Sequence, residues 1–441
     1  MKKSIMALSA ALLLGGIASA QKVDFEEYTL DNGLHVILHN DSSAPAVVTS
    51  VMYHVGAKDE KPDRTGFAHF FEHLLFEGTE NIKRGEWSKI VTANGGINNA
   101  NTSDDRTYYY EVFPSNNLEL GLWMESERML HPIINQIGVD TQNGVIKEEK
   151  RTRMDNQPYG NFLTVVKENI FKTHPYRWMP IGSMEHLDAA TLEEFQAFNK
   201  KFYTPNNAVL VVAGQIDAAQ TKKWIQKYFG TIPRGETLKK QTFVEEPITQ
   251  TIKATYQDPN IQIPAIVTAF RTPSMKTRDA RILDLISSYL SGGKSSKLYK
   301  KVVDEKKTAL EIGAFGLSQE DYGMYIIYGL PMTPFTSADV LKEIDEEIVK
   351  IQTNLISEKD FEKLKNTFDN QFVNANANLE GIAENLAKYY LLYGDINLIN
   401  SEIDIYHSIT REEIRDVAKK YLNPNQRLIL DYVPSTEQVQ N

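Results

Sequence analysis

Two stretches of this chain repeat each other at about half its length. Thr191-Leu-Glu193-Glu194-Phe195 continues through Lys200-Lys201-Phe202-Tyr203-Thr204-Pro205-Asn206. Thr410-Arg-Glu412-Glu413-Ile414 continues through Lys419-Lys420-Tyr421-Leu422-Asn423-Pro424-Asn425, with Thr410 standing 219 residues after Thr191. Each copy reads as a helix opened by a threonine with a glutamate three residues on, then a Pro-Asn turn, then an apolar strand at 208–213 or 428–432. A period of this size implies one α+β domain present twice. The seam falls in the polar segment from Pro233 to about Pro247, which carries few apolar runs. The expected division is 21–236, a linker at 237–251, and 252–441.

Only the first copy carries Gly66-Phe-Ala-His69-Phe-Phe-Glu72-His73-Leu-Leu-Phe-Glu-Gly78. At 3.6 residues per turn, His69 and His73 fall on one helix face with Glu72 beside them. The residues between Phe67 and Phe76 are otherwise apolar, which predicts a helix buried nearly all round, with Thr65 capping its front and Gly78 its back. Buried polar groups without partners cost about 1–3 kcal/mol each, so two surface histidines are a poor reading and a shared metal a good one. Imidazole suits zinc, and a catalytic zinc takes three protein ligands and leaves one position open. Glu72 stands where a general base would.

A third ligand has to come from elsewhere. A long helix is predicted from Thr141, and in it Gln142, Val145, Ile146 and Glu149 form a stripe at helical spacing. Glu149 is in line with the apolar pair. Glu148 shares its stripe with Gly144 and Arg151 and faces solvent. His35, His39, His54, His131, His174, His186 and His407 have no neighbour at metal-ligand spacing and read as surface or packing residues. In the second copy Ser291-Gly292-Gly293-Lys294-Ser295 lacks the glycine that a phosphate loop needs at 288, which is Ser288.

The N-terminus has a basic start, an apolar run from about Ile5 to Ile17, and Ala18-Ser19-Ala20, the pattern of a signal peptide over 1–20. That run is too short for a membrane span, and no later run approaches that length. An exported protein follows, periplasmic or secreted. There is no cysteine, so disulfides, thiolate ligands and a lipid-modified N-terminal cysteine are excluded. Without Lys2 and Lys3, 46 basic residues face 58 acidic ones, a balance that gives no support to nucleic-acid binding.

HxxEH inverts the HExxH order, and with Val145-Ile146-Lys147-Glu148-Glu149 and the duplication it resembles the pitrilysin and insulinase family of zinc peptidases, in the branch that includes mitochondrial processing peptidase. The resemblance covers essentially the whole mature chain. It implies two homologous domains of α/β-sandwich type, each a mostly antiparallel sheet covered by helices, the second without the metal motif. It implies one Zn2+ held by His69, His73 and Glu149, whose separation from His73 is close to the family's, with Glu72 as catalytic base. A further match, Gly95-Gly96-x-x-Asn99-Ala100-x-Thr102-x-x-Asp105-x-Thr107-x-Tyr109, implies substrate binding at Asn99, Ala100 and Thr102 by addition of an extended peptide to a sheet edge. The expected activity is zinc-dependent endopeptidase action on unfolded peptides or short polypeptides. The alternative is a non-catalytic peptide-binding or assembly subunit.

One departure from the pattern bears on partners. Family members that work alone carry an arginine and, seven residues on, a tyrosine after a Ser-Ser-x-Leu-x helix. After Ser295-Ser296-Lys297-Leu298-Tyr299, those positions hold Asp304 and Glu311. A carboxylate is acceptor-only and cannot replace an arginine fork on carbonyl oxygens. The expectation is a heterodimer with a related chain lacking HxxEH, a homodimer being the alternative.

Overall fold

The computed structural model describes residues 22–435, and the expected signal peptide at 1–20 lies outside them. Eleven strands make two sheets: β1 Glu26–Thr29, β2 His35–Asn40, β3 Ala46–Tyr53, β4 Ile97–Thr102, β5 Thr107–Pro114, β6 Ala208–Gly214, β7 Ile252–Asp258, β8 Ala265–Pro273, β9 Ala309–Ser318, β10 Tyr322–Pro331 and β11 Leu428–Pro434. The first sheet runs β1-β2-β6-β3-β5-β4 and the second β7-β11-β8-β10-β9. In each, one pair is parallel, β2 with β6 and β7 with β11, and all other neighbours are antiparallel. Leaving out β1, the orders are the same, so the duplication extends to topology. The two repeat stretches match locally too: helices Leu192–Phe202 and Arg411–Tyr421 both open with reciprocal threonine–glutamate caps. The expected duplicated α+β architecture is what the chain adopts.

Each sheet is covered on one face by its own helices and on the other by a helix from the other half of the chain. Helix Phe162–Ile170 precedes the seam, yet Val165, Val166 and Ile170 pack with Ala265, Val267, Met324, Ile326 and Leu430 of the second sheet. Helix Leu379–Lys388 returns the exchange: Ile382, Ala383, Leu386 and Ala387 pack with Ile37, Val48, Met52, Val209 and Val211 of the first sheet. The two helices begin 217 residues apart, close to the repeat offset, so the exchange is part of the duplicated plan. Fully burying an aliphatic side chain gains about 1.5–3 kcal/mol, so neither sheet can dispense with the borrowed helix.

One expected boundary is corrected. The helix expected from Thr141 begins at Gln136, where Asn135 caps it by accepting from the Gly138 N–H at 2.9 Å. Segment 237–251 is irregular but anchored, because buried Glu245 accepts from the backbone N–H groups of Lys172, Thr173 and His174 at 2.6–2.8 Å.

The exchange has a measurable consequence. Fragment 22–236 made alone should expose the apolar face that Leu379–Lys388 covers, binding a hydrophobic dye and losing near-ultraviolet dichroism. Co-expression with 237–441 should restore both signals.

Candidate metal centre

The motif helix, Phe67–Leu74, is eight residues long, too short to be stable by itself in water. Its support comes from both ends. At the front, Thr65 does not cap it: the Thr65 hydroxyl is 2.8 Å from His186 Nδ1. Instead buried Glu60 accepts from the Gly66 and Ala68 N–H groups, each at 2.9 Å. Gly66, at φ 97°, makes the left-handed turn that brings these groups together. At the back, the helix ends at Leu75 rather than at Gly78, which turns the chain three residues further on. There Arg128, with no exposed side-chain surface, donates to the Leu75 carbonyl at 3.1 Å, and the Tyr109 hydroxyl donates to the Phe71 carbonyl at 2.7 Å. Burial pushes the Glu60 carboxyl well above the ordinary carboxylate range, while the Arg128 guanidinium complements the negative end of the helix dipole.

Arg128 also bonds Glu111 at 2.9 Å and Glu125 at 3.1 Å, and lies 4.0 Å over the Trp87 ring. Burial, then the Glu125 carboxylate, pushes Glu111 well above the ordinary carboxylate range, against the pull of the Arg128 guanidinium.

On this helix His69 and His73 turn toward Glu149, near the end of helix Gln136–Lys150. One ligand atom of each lies within 4.8 Å of the others, a grouping found nowhere else among the described residues. His69 Nε2 is 3.5 Å and His73 Nε2 3.2 Å from Glu149 Oε2. Both His73 Nε2 and Glu149 Oε2 are buried without a hydrogen-bond partner, the condition that a bound cation relieves. Burial first, then His73, lowers His69 to about 4, so its ring is neutral at physiological pH and offers a lone pair. His73 holds Glu149 below the ordinary range against the opposing effect of burial. The donor set, two imidazoles and a carboxylate, suits zinc.

Arg153, on the π-helical turn Arg151–Asp155, reaches back to Glu149 Oε1 at 2.6 Å and leaves Oε2 facing the histidines. Spacing alone did not reveal this residue; an arginine four residues past a candidate ligand was the available signal. Glu148 points away and pairs with Arg151 at 2.7 Å. Of the apolar pair in the Glu149 stripe, Ile146 is buried, while Val145 is 45% exposed and lines a cleft beside the motif helix.

That cleft, of about 360 Å³, is lined by Glu72, His73, Phe76, Asn99, Ala100, Gln142 and Val145. Asn99, Ala100 and Thr102 all lie on β4, the last strand of the first sheet, with no strand on its outer side among the described residues. Burial pushes the Glu72 carboxyl up, while the Thr102 hydroxyl beside it pulls the other way. In the second half, Asp304 and Glu311 are both exposed, and Glu311 accepts from the Tyr328 hydroxyl at 2.8 Å. His54, read as a packing or surface residue, instead bonds Glu320 of the second half at 2.8 Å.

The capping geometry predicts two stability effects. Glu60→Ala should lower the unfolding free energy in urea by about 2 kcal/mol, since two buried N–H groups lose their acceptor. Arg128→Met should cost about 3–5 kcal/mol, because it strands buried carboxylates.

Two family models match the chain: the model described as insulinase (peptidase family M16) over residues 35–177, and that described as peptidase M16 inactive domain over 189–368. The zinc protease PqqE of Helicobacter pylori is 29% identical over 434 residues, covering 96% of this chain and 97% of that protein. A crystal structure of a protease from Helicobacter pylori superposes with a TM-score of 0.88 at 26% identity, covering 94% of this chain and all of that one. The periplasmic protease PqqL of Escherichia coli shares the fold, with a TM-score of 0.77 at 19% identity over 94% of this chain and 48% of that one. Among the described residues no helix is long and apolar enough to cross a membrane. Two matched halves, a similar zinc protease along nearly its whole length and a shared fold together show that the chain belongs to the insulinase (peptidase M16) family.

Proposed function

We propose that this chain is a zinc-dependent endopeptidase that hydrolyses unfolded peptides or short polypeptides, with 21–236 as its catalytic part and 252–441 as a homologous part without a metal site. The observation that carries this reading is the convergence of His69, His73 and Glu149 beside Glu72, in a cleft that opens onto the end strand of a sheet. The three ligand groups would hold one Zn2+, and the chemistry supplied at such a centre is Lewis acidity toward water and a peptide carbonyl. Glu72 takes the proton from the attacking water and returns it to the leaving amine. Burial suits it to both tasks, since a raised pKa brings a carboxyl nearer to operating pH. Arg153 holds one oxygen of Glu149, so the other stays directed at the histidines. Along β4, Asn99, Ala100 and Thr102 present an extended backbone edge on which a peptide gains main-chain hydrogen bonds irrespective of its side chains. The segment 1–20 would export the protein to the periplasm of a bacterium or beyond it.

Zinc titration and peptide hydrolysis test the assignments together. Glu72→Gln should retain one zinc and lose roughly 100-fold to 10,000-fold in turnover, the usual cost of removing a general base. Glu149→Gln should weaken zinc binding and Glu148→Gln should leave it unchanged. Wild-type turnover in Glu72→Gln would refute a general base at that position, and the reverse order for the two neighbours would refute Glu149 as the third ligand.

The carboxylates at 304 and 311 favour a heterodimer in which a related chain lacking HxxEH supplies the groups that grip substrate carbonyls. The purified chain should bind zinc fully and turn over little peptide until that partner is added. Strong turnover by the zinc-loaded chain alone rules the heterodimer out in favour of a monomer or homodimer.

A further inference from the structure

The β9–β10 hairpin of the second half ends in Gln319-Glu320-Asp321, and this tip is inserted into the first half. The Glu320 side chain is 2% exposed yet meets four basic groups: Lys58 at 2.6 Å, His54 at 2.8 Å, Lys240 at 2.9 Å and Lys276 at 3.1 Å. Lys58 pairs as well with Asp105 at 2.9 Å, and the Glu320 N–H donates to the other Asp105 oxygen at 2.9 Å. Gln319 donates to Asp104, which also takes Lys167 at 2.7 Å. The tip therefore grips two first-half segments at once, the 3-10 turn Ala57–Asp59 and the turn at 103–105.

Those two segments are the anchors of the candidate metal centre. Ala57–Asp59 leads directly into Glu60, whose carboxylate holds the front of the motif helix. Ser103 to Asp105 directly follows β4, and with it Thr102, which stands beside Glu72. The two segments also bond each other, Ala57 N–H to Ser103 O at 3.2 Å and Lys58 N–H to Asp104 O at 3.0 Å.

We propose that Glu320 is a positioning residue, through which the half lacking the metal motif sets the distance between the motif helix and the peptide-accepting edge β4. Glu320 touches neither metal ligand nor cleft; it acts through Lys58 and Asp105. A buried carboxylate held by several cations resists displacement, whereas a neutral amide of the same shape keeps packing and loses the charge attraction. The proposal rests on the peptidase reading for its kinetic consequence and on geometry alone for its mechanical one.

The test is Glu320→Gln in the full chain with its partner if one is required, read by amide hydrogen exchange, zinc stoichiometry and peptide kinetics. Exchange should quicken by roughly tenfold or more in 57–74 and 97–106 and stay unchanged in β2 and β6, since local opening is read segment by segment. Zinc content should remain one per chain, and kcat should fall about tenfold with KM altered less than about threefold, because small misplacements of reacting groups act on the chemical step. Lys58→Met should reproduce this pattern, and it carries the test should Glu320→Gln fail to fold. Exchange that quickens evenly over both sheets, or nowhere, overturns the proposal, as does a kcat loss that merely tracks lost zinc. Absence of peptide turnover in the wild type would instead refute the peptidase reading, and the exchange pattern would still decide the role of Glu320.

Discussion

A two-turn helix that carries two imidazoles and a carboxylate on a buried face has little intrinsic stability, and everything around it supplies what it lacks. Its N–H groups need an acceptor and its last carbonyls a donor, both in buried surroundings. Glu60 accepts at one end and Arg128 donates at the other, and burial pushes the Glu60 carboxyl well above the ordinary carboxylate range. Both are expensive to bury, and both are therefore tied into further structure. Glu60 follows a turn held from the second half, and Arg128 is enclosed by Glu111, Glu125 and three aromatic rings. Rigidity at the site is the product of these fixed hydrogen bonds.

The site is consequently not the property of one half. Each sheet is completed by a helix from the other, and the hairpin tip at Glu320 adds a polar contact to that apolar exchange. Apolar contact gives affinity between halves but tolerates sliding. A cluster of charges at fixed distances gives register, since the attraction falls off as soon as the partners separate.

The repeat, the motif helix and the placement of Glu149 toward the histidines with Glu148 turned away were legible in the sequence because each depends on spacing along one element. Capping of that helix was not. Thr65 is the residue a local rule selects, and it is occupied by His186, while the actual acceptor, Glu60, stands beyond a turn whose shape depends on Gly66 and on the second half. The helix carrying Glu149 starts before Thr141 because Asn135 caps it at Gln136 and its first turn buries Gly138 and Val139. Val145 shows the limit of the stripe argument: apolar and in line with Glu149, it faces a cleft instead of the core. His54 was invisible because its partner Glu320 is set by tertiary structure, whereas Arg153 stands one helical turn past Glu149 and was within reach of a spacing argument.

Comparison of the two sheet ends shows what divergence has done to the duplicated plan. β4 and β9 occupy the same place in the two orders, each last in its sheet. On β9, the Ser291 hydroxyl accepts from the Ala314 N–H and donates to the Ala314 carbonyl, both at 2.7 Å. One side chain thus takes both main-chain groups that an added strand would need at that residue, a way of protecting an end strand. On β4, the Asn99 side chain accepts from the Ala100 N–H at 2.9 Å and Arg106 donates to the Asn101 carbonyl at 3.0 Å, and the strand lies beside Glu72 and His73. Both end strands thus meet side chains of their own half, and what sets β4 apart is its place beside the motif helix, so the asymmetry of the two halves is carried by His69, Glu72 and His73 and not by the strand ends.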